Sequence, residues 1–398
     1  MRLGIVGGKL QGTEAAYLAG KAGWETVLFD RNSNVPAAGL CDTFYEVDLT
    51  LGTDLERTFE SVDLVLPALE NDSVLNLLHS WSGQSGKPLA FDLPAYRISS
   101  SKIHSNRLFD QTGIPQPRPW PDCSFPVIVK ASRGSGSENV YLVQSLPELT
   151  RLTAGADTEW VIQEFLTGPS YSLEVLGTAQ GVHTLQVTAL EMDACYDCKR
   201  VLAPAGLDRS VRERFEEITK SLCRSLDLTG IMDVEVIVHQ DRILVLEIDA
   251  RLPSQTPTTV YLSSGINIVE LLGRITVNPD LKLPPDPVKE EKGVIYEHIH
   301  VTPGSLEVAG EHVMAGYGPL TLVKDFYGAD EALTSYSPAK SRWAATLMFI
   351  GNSLTEAREK RETVIADITR HHEITCYRDP SPPTACPPGV NNMPGGIL

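Results

Sequence analysis

The segment 232–251, "MDVEVIVHQDRILVLEIDAR", constrains the fold of this chain more than any other segment. Its two apolar halves flank a short polar turn, a pattern typical of two antiparallel strands. In the second half Glu247, Asp249 and Arg251 stand two residues apart, so their side chains project from one face. Glu235 in the first half can lie beside them. The fold must therefore place three carboxylates together on one face of an otherwise apolar sheet.

Three carboxylates in apolar surroundings repel one another unless a cation joins them. Carboxylate oxygens suit Mg²⁺, which binds through one or two of them together with substrate phosphates. We therefore predict Glu235, Glu247 and Asp249 as metal ligands. The planar fork of Arg251 suits a phosphate or a carboxylate. A solvated strand face is the alternative, and the apolar neighbours argue against it.

A second feature is the glycine- and serine-rich loop in "VIVKASRGSGSENV", residues 127–140. Lys130 ends an apolar strand, and the loop that follows contains Ser135, Gly136 and Ser137. The amides of small residues can fold over phosphate oxygens while the lysine supplies positive charge. The segment is not a Walker P-loop, because the lysine precedes the loop. It predicts a phosphate site, with a flexible hairpin tip as the alternative.

The chain begins with a β-strand, a glycine turn, a helix and a second strand, in "RLGIVGGKLQGTEAAYLAGKAGWETVLFD". Such a unit is typical of a parallel sheet that binds a ligand at its strand ends. The dinucleotide fingerprint G-x-G-x-x-G requires a glycine where this chain has Lys9. Asp30 lies near the position expected for a ribose-binding acid. A dinucleotide site therefore stays open as an alternative.

The bulk properties exclude several classes of protein. A chain of 398 residues can form two or three cores. A net charge of −17 argues against a general nucleic-acid or acidic-membrane binder. No apolar run approaches the roughly 20 residues that span a bilayer, and a signal-peptide pattern is lacking. Together with seven scattered cysteines, these features predict a cytoplasmic protein without a disulfide framework.

The order of these elements resembles the ATP-grasp carboxylate–amine ligases. Lys102, Lys130 with its loop, the strand "VIQEFL" and the acidic strand pair follow one another as in that family. The resemblance implies ATP and two Mg²⁺ ions as cofactors, with Mn²⁺ as a substitute. The family usually has asparagine where this chain has Asp249. The glycine turn then reads as an element on the substrate side. The nucleotide-binding residues implied by the resemblance are Lys9, Lys102, Lys130, Ser135, Gly136, Ser137, Glu164, Phe165 and Leu166.

The same resemblance implies an α/β protein with an α+β ATP-grasp core. The predicted divisions are a Rossmann-like pre-ATP-grasp domain at 1–92, an ATP-grasp domain at 93–282 with a small lid subdomain at about 110–166, an α+β C-terminal domain at 283–378 and a disordered Pro/Gly-rich tail at 379–398.

Four longer stretches resemble one branch of the family, which joins 3-methyl-D-ornithine to the ε-amine of L-lysine. They are "GGKLQGTEAAYL", "QPRPWPDCSFPVIVKASRGSGSENV", "GPSYSLEV" and "LEIDARLPSQTPTTVYLSSGINIVELL". The resemblance implies an acyl phosphate formed from ATP, with Lys102, Lys130 and Arg251 as the catalytic cations. The residues expected around the two amino acids are Leu10, Gln11, Glu70, Ser172, Leu173, Glu174, Asp233, Arg251, Ser254, Gln255 and Thr256.

We expect the ornithine-type substrate beside Glu174, Asp233 and residues 254–256, and free lysine on the N-terminal side with Glu70 as its acidic partner. For Glu70 a loop-end carboxylate in water is an equal alternative. Other functions left open are a D-alanine–D-alanine-like or carboxyphosphate-forming ligase, an ATP-binding regulator without catalysis and a nicotinamide oxidoreductase. We predict small-molecule substrates and no nucleic-acid or membrane partner. The sequence leaves open whether the chain is a monomer or a homodimer.

Overall fold

A computed structural model describes residues 1–134, 139–155, 158–283 and 291–382. The strands are β1 (Arg2–Val6), β2 (Glu25–Asp30), β3 (Thr43–Glu46), β4 (Leu64–Pro67), β5 (Val127–Ala131), β6 (Val140–Val143), β7 (Trp160–Glu164), β8 (Ser170–Thr178), β9 (Gly181–Thr184), β10 (Thr188–Met192), β11 (Cys198–Ala203), β12 (Gly230–His239), β13 (Arg242–Asp249), β14 (Gly293–Thr302), β15 (Ser305–Val308), β16 (Thr321–Phe326), β17 (Ala329–Thr334), β18 (Trp343–Gly351) and β19 (Cys376–Arg378).

The α-helices alternate with these strands. They are α1 (Leu10–Lys21), α2 (Leu55–Thr58), α3 (Asp72–Ser85), α4 (Leu93–Ser99), α5 (Lys102–Thr112), α6 (Leu146–Thr153), α7 (Arg209–Ser225), α8 (Thr256–Ser264), α9 (Ile268–Val277), α10 (His312–Ala315) and α11 (Leu354–His371). The mixed α/β class predicted from the sequence is confirmed. The loop residues Ser135, Gly136 and Ser137, to which we assigned phosphate binding, lie outside the described ranges.

The N-terminal sheet is parallel, with the strand order β3-β2-β1-β4. The predicted strand–helix–strand opening is therefore confirmed. Its glycines are required by close packing, because a Cβ atom on Gly12 would lie 2.1 Å from the carbonyl oxygen of Gly7. The carboxylate of Asp30 accepts hydrogen bonds from the amides of Gly8 at 2.7 Å and Asn32 at 2.9 Å. This acid stabilises the glycine turn, which weakens the dinucleotide alternative.

Two apolar runs of the sequence, at 87–91 and 183–190, predict continuous strands that the structure does not contain. Residues 87–91 form a single bridge, Val65 to Leu89, rather than a strand. Pro88 has no N–H to donate to a ladder, and Asp92 already caps α4. The run "HTLQVTAL" is divided into β9 and β10, which both pair with β8. Between them the Gln186 side chain turns inward and donates a hydrogen bond to Ser263 at 3.0 Å.

A separate three-stranded sheet, β6-β5-β7, lies within the predicted lid subdomain and is called the lid below. Its strands are antiparallel, as the predicted hairpin requires. Val127, Val129 and Val143 pack with Leu149 of α6 in a core of their own. The lid therefore has its own hydrophobic contacts and carries Lys130 near the end of β5.

The largest sheet has twelve strands and contains the main path β13-β12-β8-β10-β11-β14-β18-β17-β16. The acidic strands β12 and β13 form its edge pair, antiparallel as predicted. Strand β11 pairs with β14, so the sheet runs without interruption from the predicted ATP-grasp region into the C-terminal region. Both regions thus share one backbone scaffold.

Helix ends place several functional residues. The sequence of residues 101–111 predicts a helix, and in the structure Ser101 caps α5, so that Lys102 stands in its first turn. Ser353 likewise caps α11. In the described part of the chain no single helix is long and apolar enough to cross a bilayer. The pair α8 and α9, bent by 101°, passes that test of length and composition when taken together.

The start of the predicted disordered tail follows β19 and is held by ion pairs. Asp379 accepts from Lys199 at 2.6 Å and from Arg200 at 2.7 Å. Ser381 lies 3.3 Å from the same lysine. The prediction for 383–398 falls outside the described residues.

Candidate active site

A cavity of about 520 Å³ lies between the lid, the acidic strand pair and the N-terminal end of α1. Residues from the three-stranded sheet, the twelve-stranded sheet, α1 and the loop after β4 line it. The predicted site residues on its surface are Leu10, Gln11, Glu70, Lys102, Lys130, Glu164, Phe165, Leu166, Asp233, Glu235, Glu247, Asp249, Arg251, Ser254, Gln255 and Thr256. The fold therefore gathers residues that are far apart in the sequence into a single cavity.

The metal face of the cavity is formed by β12 and β13. Glu235 lies opposite Glu247, and Asp233 lies opposite Asp249. Burial raises the pKa of Glu235 well above its usual range, and the neighbouring carboxylates raise it further. Burial also raises the pKa of Asp249 to about 7, although Arg251 acts in the opposite direction. The carboxylates of Glu235, Glu247 and Asp249 are partly buried, and their oxygens are the type of ligand that suits a divalent cation such as Mg²⁺.

Two lysines approach the same face. Lys102 forms an ion pair with Glu247 at 2.6 Å and donates to the carbonyl of Gly134 at 2.9 Å. Burial disfavours its charge, but the adjacent carboxylates outweigh that effect and raise its pKa overall. Lys130 donates to the carbonyl of Leu246 at 3.1 Å, and burial lowers its pKa to about 8. Both cations can therefore reach an anion bound at the acidic strands.

Arg251 links the metal face to the N-terminal region. Its guanidinium contacts Glu70 at 2.9 Å and Asp249 at 3.1 Å. The Gln11 side chain donates to Glu70 at 3.1 Å. The Glu70 carboxylate is therefore held by an arginine and an amide beside the cavity, which argues against the alternative of a free carboxylate in water.

The resemblance to the family implies that the strand ending at Glu164 binds adenine through backbone groups of Glu164, Phe165 and Leu166, and all three residues lie on the cavity surface. Arg118 holds the Glu164 side chain through contacts of 2.8 Å. The Glu164 amide donates to the Arg118 carbonyl, and the Phe165 amide donates to the Pro126 carbonyl. These two N–H groups are already used within the lid. Of the amides predicted to bind adenine, that of Leu166 therefore remains the strongest candidate.

Some predicted residues lie elsewhere. Leu173 is fully buried in the core between β8 and α7, because its side chain projects from the opposite face of β8. Lys9 is exposed at the N-terminus of α1 and is not on the cavity surface. Ser172 does not line the cavity and donates a hydrogen bond to Asp233, which does. Glu174 is fully buried and does not line the cavity either; burial and the Asp233 charge raise its pKa to about 8.

The sequence did not identify a further wall of the cavity, which contains Tyr196, Asp197, Glu311 and His312. The His312 amide and ring nitrogen Nδ1 lie 3.1 and 3.0 Å from the Asp197 carboxylate. Asp197 lies within "CYDC", residues 195–198, whose close cysteine pair is a weak signal for a metal site, and it is the aspartate that makes the contact. Nothing local marks a residue whose partner lies 115 positions away.

A family model described as an ATP-grasp domain matches residues 99–255. The 3-methyl-D-ornithine–L-lysine ligase of Methanosarcina acetivorans is 35% identical over 90% of this chain and 95% of its own length. The ligase of the same name from Methanosarcina mazei is 38% identical over 78% of this chain and 81% of its own length.

Solved structures show the same fold. The biotin carboxylase domain of the Hydrogenobacter thermophilus 2-oxoglutarate carboxylase aligns with a TM-score of 0.72 at 14% identity, covering 92% of this chain and 89% of that chain. The N5-carboxyaminoimidazole ribonucleotide synthetase of Thermotoga maritima aligns with a TM-score of 0.63 at 21% identity, covering 92% and 98%. At these identities the alignments show the fold alone.

These findings confirm the ATP-grasp fold and the ligase class predicted from the sequence. ATP-grasp enzymes use ATP and Mg²⁺ in general, in keeping with the lysines and carboxylates of the cavity. The share of the chain aligned with the Methanosarcina enzymes shows the family. The chain is an ATP-grasp carboxylate–amine ligase and belongs to the family of the 3-methyl-D-ornithine–L-lysine ligases.

Proposed function

We propose that this ligase joins the carboxylate of 3-methyl-D-ornithine, or of D-ornithine, to the ε-amine of L-lysine in pyrrolysine biosynthesis. The observation that carries the proposal is a sequence similarity that extends over most of the length of the two Methanosarcina 3-methyl-D-ornithine–L-lysine ligases. The cavity supports it through the position of Arg251. This arginine contacts Asp249, beside the two lysines and the predicted metal ligands, and also Glu70 on the N-terminal side. Two cationic amino acids and one nucleotide need such a distribution of charge.

ATP is proposed to bind with its adenine at residues 164–166 and its phosphates between Lys102 and Lys130. Glu235, Glu247 and Asp249 would hold two Mg²⁺ ions, with Mn²⁺ able to replace them. When bound, Mg²⁺ neutralises phosphate charge during transfer. The two lysines add positive charge at the same place, so the residues contribute chiefly by positioning and by electrostatic stabilisation.

In the first step, an oxygen of the ornithine carboxylate attacks the γ-phosphorus of ATP. The bond from that phosphorus to the β,γ-bridging oxygen breaks, and ADP leaves with the electron pair. Arg251 suits the incoming carboxylate because its planar fork can bind two oxygens at once. Since that fork contacts Glu70 and Asp249 in this structure, the substrate carboxylate has to take over part of these contacts.

In the second step, the neutral ε-amine of lysine attacks the acyl carbon and inorganic phosphate leaves. The ammonium loses two protons overall, of which one ends on the phosphate and the other reaches solvent. We place lysine near Leu10, Gln11 and Glu70, which line the N-terminal side of the cavity. From there the amine meets a carboxyl group held by Arg251.

Trapping of the acyl phosphate tests this order of events. The enzyme is incubated with ATP, Mg²⁺, D-ornithine and hydroxylamine without lysine, and ornithine hydroxamate is expected. Arg251→Met should abolish the hydroxamate while leaving ATP binding measurable. Formation of lysine hydroxamate would show that the two substrates have been exchanged. A wild-type enzyme that forms hydroxamate with D-alanine but not with D-ornithine would establish the alternative ligase function.

The carboxyphosphate alternative is supported by the fold neighbours, which include a biotin carboxylase domain. It requires ATP hydrolysis that depends on bicarbonate and is independent of D-ornithine. A non-catalytic regulator would bind ATP without turnover. We retain a cytoplasmic location, since ATP is required, and a homodimer as an expectation that sedimentation of the purified protein checks.

A further inference from the structure

We propose that Glu311, Asp197 and Gln255 form a subsite for the side-chain ammonium of the activated amino acid. This subsite would select diamino acids over neutral amino acids of the same length. The inference rests on the proposed function, because it assumes that an ornithine-type carboxylate is activated at Arg251. It adds Asp197 and Glu311, which the sequence did not identify, to Gln255, which the sequence already assigned to the ornithine-type substrate.

The backbone fixes this wall firmly. Asp193 accepts from the Gly310 amide at 3.1 Å, and Asp197 accepts from the His312 amide at 3.1 Å. The Glu311 amide between them donates to the Cys198 carbonyl at 3.0 Å. A Cβ atom on Gly310 would lie 2.0 Å from the Asp197 carboxylate, so the two segments are in direct contact. Glu311 is therefore held at a defined place on the cavity surface.

Unsatisfied acceptors meet at this place. The Oε2 atom of Glu311 and the Oε1 atom of Gln255 are buried without a hydrogen-bond partner among the described residues. Gln255 is only 4% exposed, yet it lines the cavity. Burial raises the pKa of Glu311 overall, although the side chains of Ser254 and Gln255 hydrogen-bond to its carboxylate and act in the opposite direction. Buried acceptors of this kind normally have partners, so a donor from outside the chain is expected.

The chemistry of the acceptors favours an ammonium group. An ammonium has three N–H donors and one positive charge, which matches two carboxylates and an amide oxygen. A divalent cation is the competing ligand, since Asp197, Glu311 and His312 offer atoms within 4.8 Å of one another. However, His312 Nδ1 lies 3.0 Å from Asp197, where the ring can donate to the carboxylate instead of binding a metal.

The position of the subsite indicates which substrate uses it. Against the effect of burial, the negative charges of Glu70 and Glu311 both raise the pKa of the Arg251 guanidinium. Glu70 belongs to the N-terminal side, from which we expect lysine. Glu311 lies with Ser254 and Gln255, next to the residues assigned to the ornithine-type substrate. With its carboxylate on Arg251, that substrate can extend its side chain, roughly 6 Å from carboxyl carbon to nitrogen, towards Glu311.

Kinetics with D-ornithine and D-norvaline test the subsite, because D-norvaline has the same carbon chain and α-amine but lacks the side-chain amine. Glu311→Gln should raise KM for D-ornithine about 10- to 100-fold, as expected for the loss of a charged hydrogen bond. KM for ATP and L-lysine should stay within about twofold. Turnover of D-norvaline should not change, so the preference for the diamino acid shrinks. Glu362→Gln, an exposed change of the same type on α11, serves as the matched control.

Three results would overturn the inference. The first is an unchanged KM for D-ornithine in Glu311→Gln, and the second is an effect confined to L-lysine. The third is bound zinc or manganese that is lost in the variant without any change in substrate preference. If Glu311→Gln also impairs ATP binding, Gln255→Leu is measured in its place with the same readouts. A wild-type enzyme that makes no ornithine hydroxamate would instead refute the proposed function itself.

Discussion

Replacing Lys130 by methionine should stabilise the ligand-free protein while removing its ability to bind ATP. The lysine is 8% exposed, and among the described residues its Nζ atom donates one hydrogen bond, to the carbonyl of Leu246 at 3.1 Å. Burial lowers its pKa from 10.5 to about 8, although Glu247 acts in the opposite direction. Methionine has a similar length and carries no charge into the lid. The substitution therefore separates the effect of the buried charge on folding stability from its role in binding ATP.

The magnitude follows from proton linkage. A pKa displaced from 10.5 to about 8 means that the charged lysine costs the folded state about 3 kcal/mol. This cost is fully present below pH 8. It disappears as the pH rises from 8 towards 10.5, because the folded protein releases its proton before the unfolded chain does. Loss of the hydrogen bond to Leu246 removes about 1 kcal/mol of stability. We therefore expect Lys130→Met to be more stable by about 2 kcal/mol at pH 7.

Urea unfolding followed by tryptophan fluorescence at pH 7 and pH 10 measures this effect. The difference between variant and wild type should be largest at pH 7 and should vanish or reverse at pH 10. Lys324→Met, an exposed change of the same type on β16, should alter stability by no more than about 0.5 kcal/mol at either pH. Binding of a fluorescent ATP analogue should be lost in Lys130→Met alone. A variant that is less stable than wild type at pH 7, or that still binds ATP, would refute the reasoning.

Two further substitutions test the metal face and the lysine side. Glu247→Gln should lower kcat at least about 100-fold, because the amide keeps the shape of the side chain but cannot neutralise Mg²⁺. Raising the Mg²⁺ concentration should not restore the rate, and a wild-type rate would exclude Glu247 as a ligand. Glu70→Ala should raise KM for L-lysine about tenfold while ornithine hydroxamate still forms, as expected for the loss of one charged contact. A loss of hydroxamate in that variant would instead place Glu70 with the first substrate.

The parts of the site that the sequence predicted correctly lie close together in the chain. The acidic strands β12 and β13 and their turn occupy 20 consecutive residues, so periodicity alone gives their pairing. The register adds that Glu235 faces Glu247 directly. Helix starts were also predictable, because Ser101 and Ser353 act as caps. In these cases the physical cause of the structure is local and visible in the sequence.

The parts that were missed depend on contacts between distant segments. Asp197 and His312 are 115 positions apart, and neither has a neighbour that signals the pairing. Leu173 was placed in the site because "GPSYSLEV" resembles the family, yet strand alternation sends its side chain into the core. Resemblance identifies a strand, whereas the facing of each residue depends on what packs against it.

Under the proposed function, the positive charges of the ligand-free site are paired with the carboxylates that Mg²⁺ would need. Lys102 contacts Glu247 at 2.6 Å, and Arg251 contacts Asp249 at 3.1 Å. If these carboxylates held a metal, Lys102 and Arg251 would be free to contact the phosphates and the substrate carboxylate. Binding of the metal or of the anions alone would leave buried charges without partners, which is strongly unfavourable. The aspartate at 249, where the family usually has asparagine, strengthens this coupling because it provides Arg251 with a charged partner before substrate arrives.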